Sequence, residues 1–325
     1  MTAELYHAII VVDDEPYQVW EVDLPRRNLE FLNSIDPEYF DYIRSTHGES
    51  EDKQRASIAL RTAYHHALET FFSFVGAYVQ APDCAYGWVS KCSNATLGRV
   101  VDRINTGGDD LFTKLNITSA SWPEIARLVF ECYKPGSNEQ NETIDLFAKL
   151  WRRLASEFLD ERRINEYNSI KHGFRVHSGG FSLRVGREHE YGVAPPESEM
   201  KSLGGSEYGT SFFTLEQIGE DRGNRSLKSR QHSLNWRLEK VAILLRLLTH
   251  SLSNVLAALK VANGVKPGTV KFTRPAESEI FHKAWSYSSG VTCFNVACQI
   301  EDASVPATTR RELIETIESW KKTKE

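Results

Sequence analysis

Residues 51–81 read EDKQRASIALRTAYHHALETFFSFVGAYVQA, with no proline anywhere and no glycine before Gly76, and Pro82 follows at once. Proline and glycine are the residues that most strongly end or weaken a helix, so their absence over this length predicts one long helix stopped at Pro82. Along it Ala59, Thr62, Ala63, His66, Ala67, Thr70, Phe74 and Ala77 recur at three- and four-residue spacings. Such a stripe of mostly small side chains lets a neighbouring helix approach closely, and it places this helix in the centre of a bundle.

Two more long helices are expected around it. One begins near Glu139, carries Ile144, Phe147, Trp151, Leu154 and Phe158 at amphipathic spacing and runs to His172, with Gly173 as its C-terminal stop. The other spans Ser233 to Ala262 and is stopped by Asn263-Gly264 and Pro267. Shorter helical patterns occupy Asp23 to Gly48, Ala95 to Asn105, Trp122 to Tyr133 behind the N-cap Ser121, and Thr309 to Lys322. Strand signals are brief: Ala8–Val12 before the turn Asp13-Asp14-Glu15-Pro16, then Phe181–Val185, Ser211–Leu215 and Val291–Cys298. The expected fold is therefore mainly α, a bundle of long helices with a small inserted β-sheet or hairpins. Its expected parts are residues 1–175 (strand and helices), 176–232 (β-rich insertion) and 233–325 (long helix, short strand, terminal helix), all within one compact unit.

The chain has 325 residues, enough for a substantial core. Its 39 Lys+Arg against 44 Asp+Glu leave a formal net charge of -5, which excludes a surface given over wholly to nucleic acid and confines any polyanion site to a local patch. The cysteines Cys84, Cys92, Cys132, Cys293 and Cys298 are odd in number and lack the close pairs of a disulfide framework or zinc site. A reducing cytoplasm is expected. The N-terminus has no basic region leading into an apolar stretch, and Val241–Leu248, interrupted by Arg246, is too short to span a bilayer and should be a core helix. No membrane contact, metal or cofactor is expected.

The chemistry-bearing feature is the run Tyr167-Asn168-Ser169-Ile170-Lys171-His172-Gly173 at the end of the second long helix. Trp151, Phe158, Asn165 and His172 are successive sevens, which two helical turns bring back near one face, and Asn168 lies three residues after Asn165 and four before His172. Asn165, Asn168 and His172 should therefore cluster on the inward stripe. Inward polar groups need partners, since an unsatisfied one costs about 1–3 kcal/mol; Arg61 and His66 on the first long helix are the expected ones. Lys171, Arg175 and Tyr167 complete the candidate binding set.

Asn168 to Gly173, placed at a long helix's end, resembles the signature region of bacterial HEPN-like helical domains. Ribonucleases of that family carry an arginine, usually followed by a polar residue such as Asn, then three further residues and a histidine. The resemblance spans the two long helices, 51–81 and 139–173. It implies a homodimer that joins two such helices into one cleft, with His172 in proton transfer and Asn168 orienting the phosphate of an RNA substrate without a metal. Tyr167 stands where the family's ribonucleases have arginine, and it supplies neither a fixed positive charge nor an arginine fork. That departure favours a non-catalytic binding or regulatory module, holding RNA or a small ligand, over metal-independent RNA cleavage.

Other constellations rank below this one. Asp13-Asp14 after a strand could imitate a receiver-like metal site, but no alternating βα pattern follows. His65, His66, Cys84 and Cys92 could hold a metal only if the fold returned Cys92 to the first helix. Arg222, Arg225, Lys228 and Arg230 form a basic segment able to touch phosphates, and His177-Ser178-Gly179-Gly180 could form an anion-binding turn. Both are better read as connecting segments. Gly204-Gly205-Ser206-Glu207-Tyr208-Gly209 lacks dinucleotide-loop spacing, and neither a Walker loop nor Gly-x-Ser-x-Gly occurs.

Overall fold

A computed structural model describes residues 5–219, 223–297, 301 and 304–322. It is 53% helical and 15% strand, which overturns the expectation of a helical bundle with a small inserted sheet: the fold is mixed α and β. Strands open the chain as well as interrupt it, and part of the apparent third helix is strand. The chain divides into two compact units, Met1–Tyr167 with Arg237–Tyr287, and Asn168–Trp236 with Ser288–Glu325.

The first unit begins with an antiparallel hairpin, β1 (Tyr6–Val12) and β2 (Glu15–Glu21), the second strand having gone unread in the sequence. Asp13 turns the chain with φ 62°, and its carboxylate accepts hydrogen bonds from Arg99 (2.7 Å) and Arg103 (2.9 Å). The acidic pair is thus a hairpin turn. Helices follow: α1 (Leu24–Ser34), α2 (Tyr39–Gly48), α3 (Lys53–Gln80), α4 (Ala85–Lys91), α5 (Asn94–Asn105), α6 (Trp122–Val129), α7 (Asn138–Phe158), α8 (Glu161–Lys171), α9 (Leu238–Ala262) and α10 (Ile280–Lys283).

Helix α3 is central and packs along α9. Their contact is surrounded by Trp88, Trp122, Trp151, Phe71 and Phe72, all essentially without exposed surface. Polar groups inside this core are matched. Gln80 accepts the Asp13 amide (2.9 Å) and the Trp88 indole N–H (3.1 Å) and donates to the carbonyls of Asp13 (2.9 Å) and Phe112 (3.2 Å), which fastens the hairpin to the end of α3. The Trp151 indole donates to Ser251 Oγ (3.0 Å), joining α7 to α9. Helix α9 is long and apolar enough to cross a membrane, yet 72% of its apolar window is buried inside the protein, so its apolarity belongs to the core.

Two helix boundaries differ from expectation. The helix read as 139–172 is broken at Leu159 and Asp160, where the Asp160 carboxylate accepts the Arg162 amide (3.0 Å) and starts α8 afresh. Helix α9 begins at Leu238, because Ser233–Asn235 lie in a strand.

The second unit contains β3 (His177–Ser178), β4 (Ser182–Val185), β5 (Lys201–Gly205), β6 (Gly209–Gln217), β7 (Leu227–Asn235), β8 (Cys293–Ala297) and helix α11 (Arg310–Lys322). β3, β6, β7 and β8 form an antiparallel sheet in that order, and β4 pairs with β5. At one end of β7 the Asn235 amide accepts from the Phe181 N–H (2.9 Å) and donates to the carbonyls of Phe181 (2.8 Å) and Val291 (3.0 Å), tying three segments of the unit together. Cys298 and Arg222 lie outside the described residues.

Candidate functional site

The break at Leu159–Asp160 advances the register of α8 by one residue, and this decides which side chains point inward. Glu166, Ser169 and Ile170 are buried, while Asn165 and Asn168 are half-buried and His172 is exposed. The expected inward cluster of Asn165, Asn168 and His172 does not form. On α3 the inward histidine is likewise His65, not His66, which is exposed and sits edge-on to Phe40 at 5.5 Å.

In the first unit these shifts bring Arg61, His65, Glu166 and Tyr167 together. Arg61 donates to Glu166 Oε2 through Nη2 (2.6 Å) and Nε (3.1 Å), and His65 Nε2 approaches the same oxygen at 3.1 Å. Side-chain exposure is 5% for Arg61 and His65 and 0% for Glu166. Burial works against the charge on Glu166, but Arg61 beside it and the hydrogen bond from His65 hold its carboxyl well below the usual range. Burial, followed by the neighbouring Arg61, pushes the His65 imidazole down to about 4. Near neutrality the cluster is one arginine cation, one carboxylate and one neutral imidazole. A carboxylate only accepts, so Nε2 carries the histidine's proton. The Tyr167 ring stacks on His65 at 5.2 Å and 18°, and its hydroxyl is hydrogen-bonded to Glu69.

A second, largely buried carboxylate, Glu157 at the end of α7, lies nearby. Glu157 accepts from the Tyr64 hydroxyl, from Arg163 Nη1 (2.8 Å) and from Lys240 Nζ (2.9 Å). Burial alone would raise its pKa, but Arg163 and Lys240 bring it down to about 2. Arg61 lies over the Tyr64 ring at 5.4 Å, so the two carboxylate clusters adjoin.

Hollows in the surface of this unit include three among the described residues. One of about 220 Å³ is lined by polar groups, His66, Glu69, Ser73, Cys92 and Asn94 among them. One of about 470 Å³ between α6 and α7 carries Arg127, Lys149 and Arg152, the first two paired with Glu124 (2.8 Å) and Asp145 (2.6 Å). A third, of about 420 Å³, lies between the α1–α2 connection and α9. Of the four residues considered for a metal, His66 and Cys92 share the small hollow, whereas His65 faces Glu166 and Cys84 is buried. Among the described residues no group of three or more His, Cys, Asp or Glu is placed to hold a metal ion.

Asn168, Lys171, His172 and Arg175 belong to the second unit, where α8 ends. The helix unwinds through Gly173 (φ 100°) and Phe174 (φ 51°), and the Arg175 amide donates to the Ser169 carbonyl (2.7 Å). Lys171, His172 and Arg175 are exposed. Arg230 pairs with Glu216 (2.9 Å) across the strands, and His177 and Ser178 form β3 rather than a free turn.

Glu166 and Glu157 were missed in the sequence, and His65 was named only as a neighbour of His66 and a metal candidate. The signal for His65 and Arg61 was present: Leu68, Phe71, Phe72 and Val75 form a bulkier stripe than the small residues, and three- and four-residue steps back from it reach Tyr64, His65 and Arg61. Glu166 was hidden by the helix break. Comparison with known protein families, with characterised proteins and with solved structures found no match.

Proposed function

We propose that this protein is a non-catalytic binding or regulatory module, cytoplasmic, with HEPN-like character in its helical part. The observation that carries this reading is the burial of Arg61, His65 and Glu166. An arginine and an imidazole are the groups an RNA-cleaving site needs at a phosphate, and here both are turned onto a buried carboxylate with the histidine neutral. Tyr167, at the position where the resembling ribonucleases carry arginine, stacks on His65 and links through Glu69 to the small polar hollow. A small polar ligand there would act on the packing of α3 against α8 through that link. The free thiols of Cys84, Cys92 and Cys132 agree with a reducing compartment.

The second reading, metal-independent RNA cleavage using His172 and Asn168, draws on one observation. His172 is exposed one helical turn beyond Asn168, whose carbonyl accepts its amide at 3.0 Å. End-labelled RNA incubated with the protein in EDTA separates the two. The binding reading expects intact RNA with wild-type protein and with His172→Ala alike. Cleavage by wild type that His172→Ala abolishes, with melting temperature unchanged, would assign the ribonuclease instead.

A further inference from the structure

The β3-β6-β7-β8 sheet of the second unit has one face that, among the described residues, is largely apolar and exposed. Strand register fixes which side chains share it: Ser211 opposite Ser233 and Phe294, Phe213 opposite Gln231 and Val296, Leu215 opposite Ser229, and Gln217 opposite Leu227. Phe213, Leu215, Leu227, Phe294 and Val296 are all exposed on this face, Phe213 by 68%. The remaining positions are serine and glutamine, with His177 at the β3 edge opposite Ser211. The opposite face is closed, with Phe212, His232 and Leu234 buried. Five large apolar groups gathered on one side of a sheet mark an interaction surface rather than scattered surface residues.

The same unit supplies a complementary element. Helix α11 carries Leu313, Ile314, Ile317 and Trp320 at helical spacing on one side, and every one is exposed, Trp320 by 63%. Its start is fixed locally: Thr309 and Glu312 form a reciprocal capping box (2.7, 2.9 and 3.3 Å). The Arg225 amide holds the preceding Thr308 carbonyl (2.6 Å) just before β7. No residue of α11 is buried, so it does not lie on its own sheet. A lone 13-residue helix is marginal in water, and this one needs a surface to cover its stripe.

We infer that α11 of one copy of this chain packs its Leu313–Trp320 stripe on the Phe213–Val296 sheet face of a second copy, reciprocally about a two-fold axis. The exchange is isologous, so each copy contributes one helix and one sheet face and both apolar surfaces are covered at once. The area closes the argument: nine apolar side chains per copy, doubled, amount to an interface on the order of 1,500 Å², the size of a specific stable dimer. This surface is separate from the α8 end at which the family resemblance would place a dimer.

Sedimentation across concentrations of about 1–100 µM reads the mass directly. The wild-type chain is expected to be a dimer. Phe213→Glu and Trp320→Glu should each raise its dissociation constant by a factor of roughly 30 or more, with far-UV circular dichroism unchanged. Mixing Leu215→Cys chains with Ile317→Cys chains under oxidation should link the two positions between copies, identified by peptide mass. A monomer at every concentration overturns the proposal, including one whose helix binds lipid vesicles. So does a 215–317 link that forms only within a doubly substituted chain and never in the mixture.

Discussion

A histidine sealed beside a carboxylate makes the folded state sensitive to acid in a definite window. His65 has a folded pKa of about 4, below the 6.5 of an accessible imidazole. Between those values the unfolded chain binds a proton that the folded chain refuses, so the stability is fully present above pH 6.5 and is lost as pH falls towards 4. At pH 5 the loss is about 2 kcal/mol. His250, pushed down to about 4 by burial and then by Arg246, acts in the same window. Glu157 and Glu166 do not, because a carboxyl with a depressed pKa loses its contribution only below the ordinary value of 4.5. His65→Gln retains an N–H donor for Glu166 and cannot titrate. It should remove about half of the fall in melting temperature between pH 7.5 and pH 5, and an unchanged fall would show that His65 is not the neutral donor. Arg61 was readable as a candidate because it lies on a long, strongly patterned helix, and Tyr167 because it stands in the Tyr167–Gly173 run. The group that unites them was not, since a glutamate in the polar run Glu161–Lys171 looks solvated until the register is known.

At the scale of an element, α3 shows packing overriding intrinsic helix preference. Gly76 lies mid-helix, where alanine would ordinarily be better by about 0.5–1 kcal/mol. A Cβ at this position would come within 2.2 Å of the Trp88 ring, which is fully buried and held by Gln80. Forcing that overlap costs about 1–3 kcal/mol, which exceeds the gain. Urea unfolding should therefore find Gly76→Ala destabilised by roughly 1–2 kcal/mol. Gly98→Ala, in α5 with nothing within 4 Å of its Cβ, should be stabilised by about 0.4–1 kcal/mol. Equal effects at the two sites would remove the packing explanation. The interiors of the long helices were legible because Pro and Gly mark where helices cannot continue. The α7–α8 break was not, because Leu159 and Asp160 are neither; an aspartate accepting a local amide ended one helix and began another.

At the scale of the molecule, the sequence reading recovered helices better than it recovered how strands unite. Phe181–Val185, Ser211–Leu215 and Val291–Cys298 each contain strand, but the sheet depends on pairings such as Arg230 with Ala297, which no local pattern announces. Ser233–Asn235 were absorbed into a helix because apolar periodicity resumes just beyond them at Leu238. The units also differ in how deeply they bury their backbone. In the first, α3 and α9 are enclosed along most of their length. In the second, β4 and β5 form a separate two-stranded ribbon and bury none of their residues. A two-stranded ribbon of that kind is marginal in water, whereas a core helix opens only with its whole unit. Amide exchange followed by mass spectrometry should thus be slower in Tyr64–Val79 and Leu244–Leu259 than in Ser182–Val185 by roughly a thousandfold, the factor that about 4 kcal/mol of added opening free energy produces. Comparable rates would mean that α3 and α9 open locally and do not form the stable centre of the helical unit.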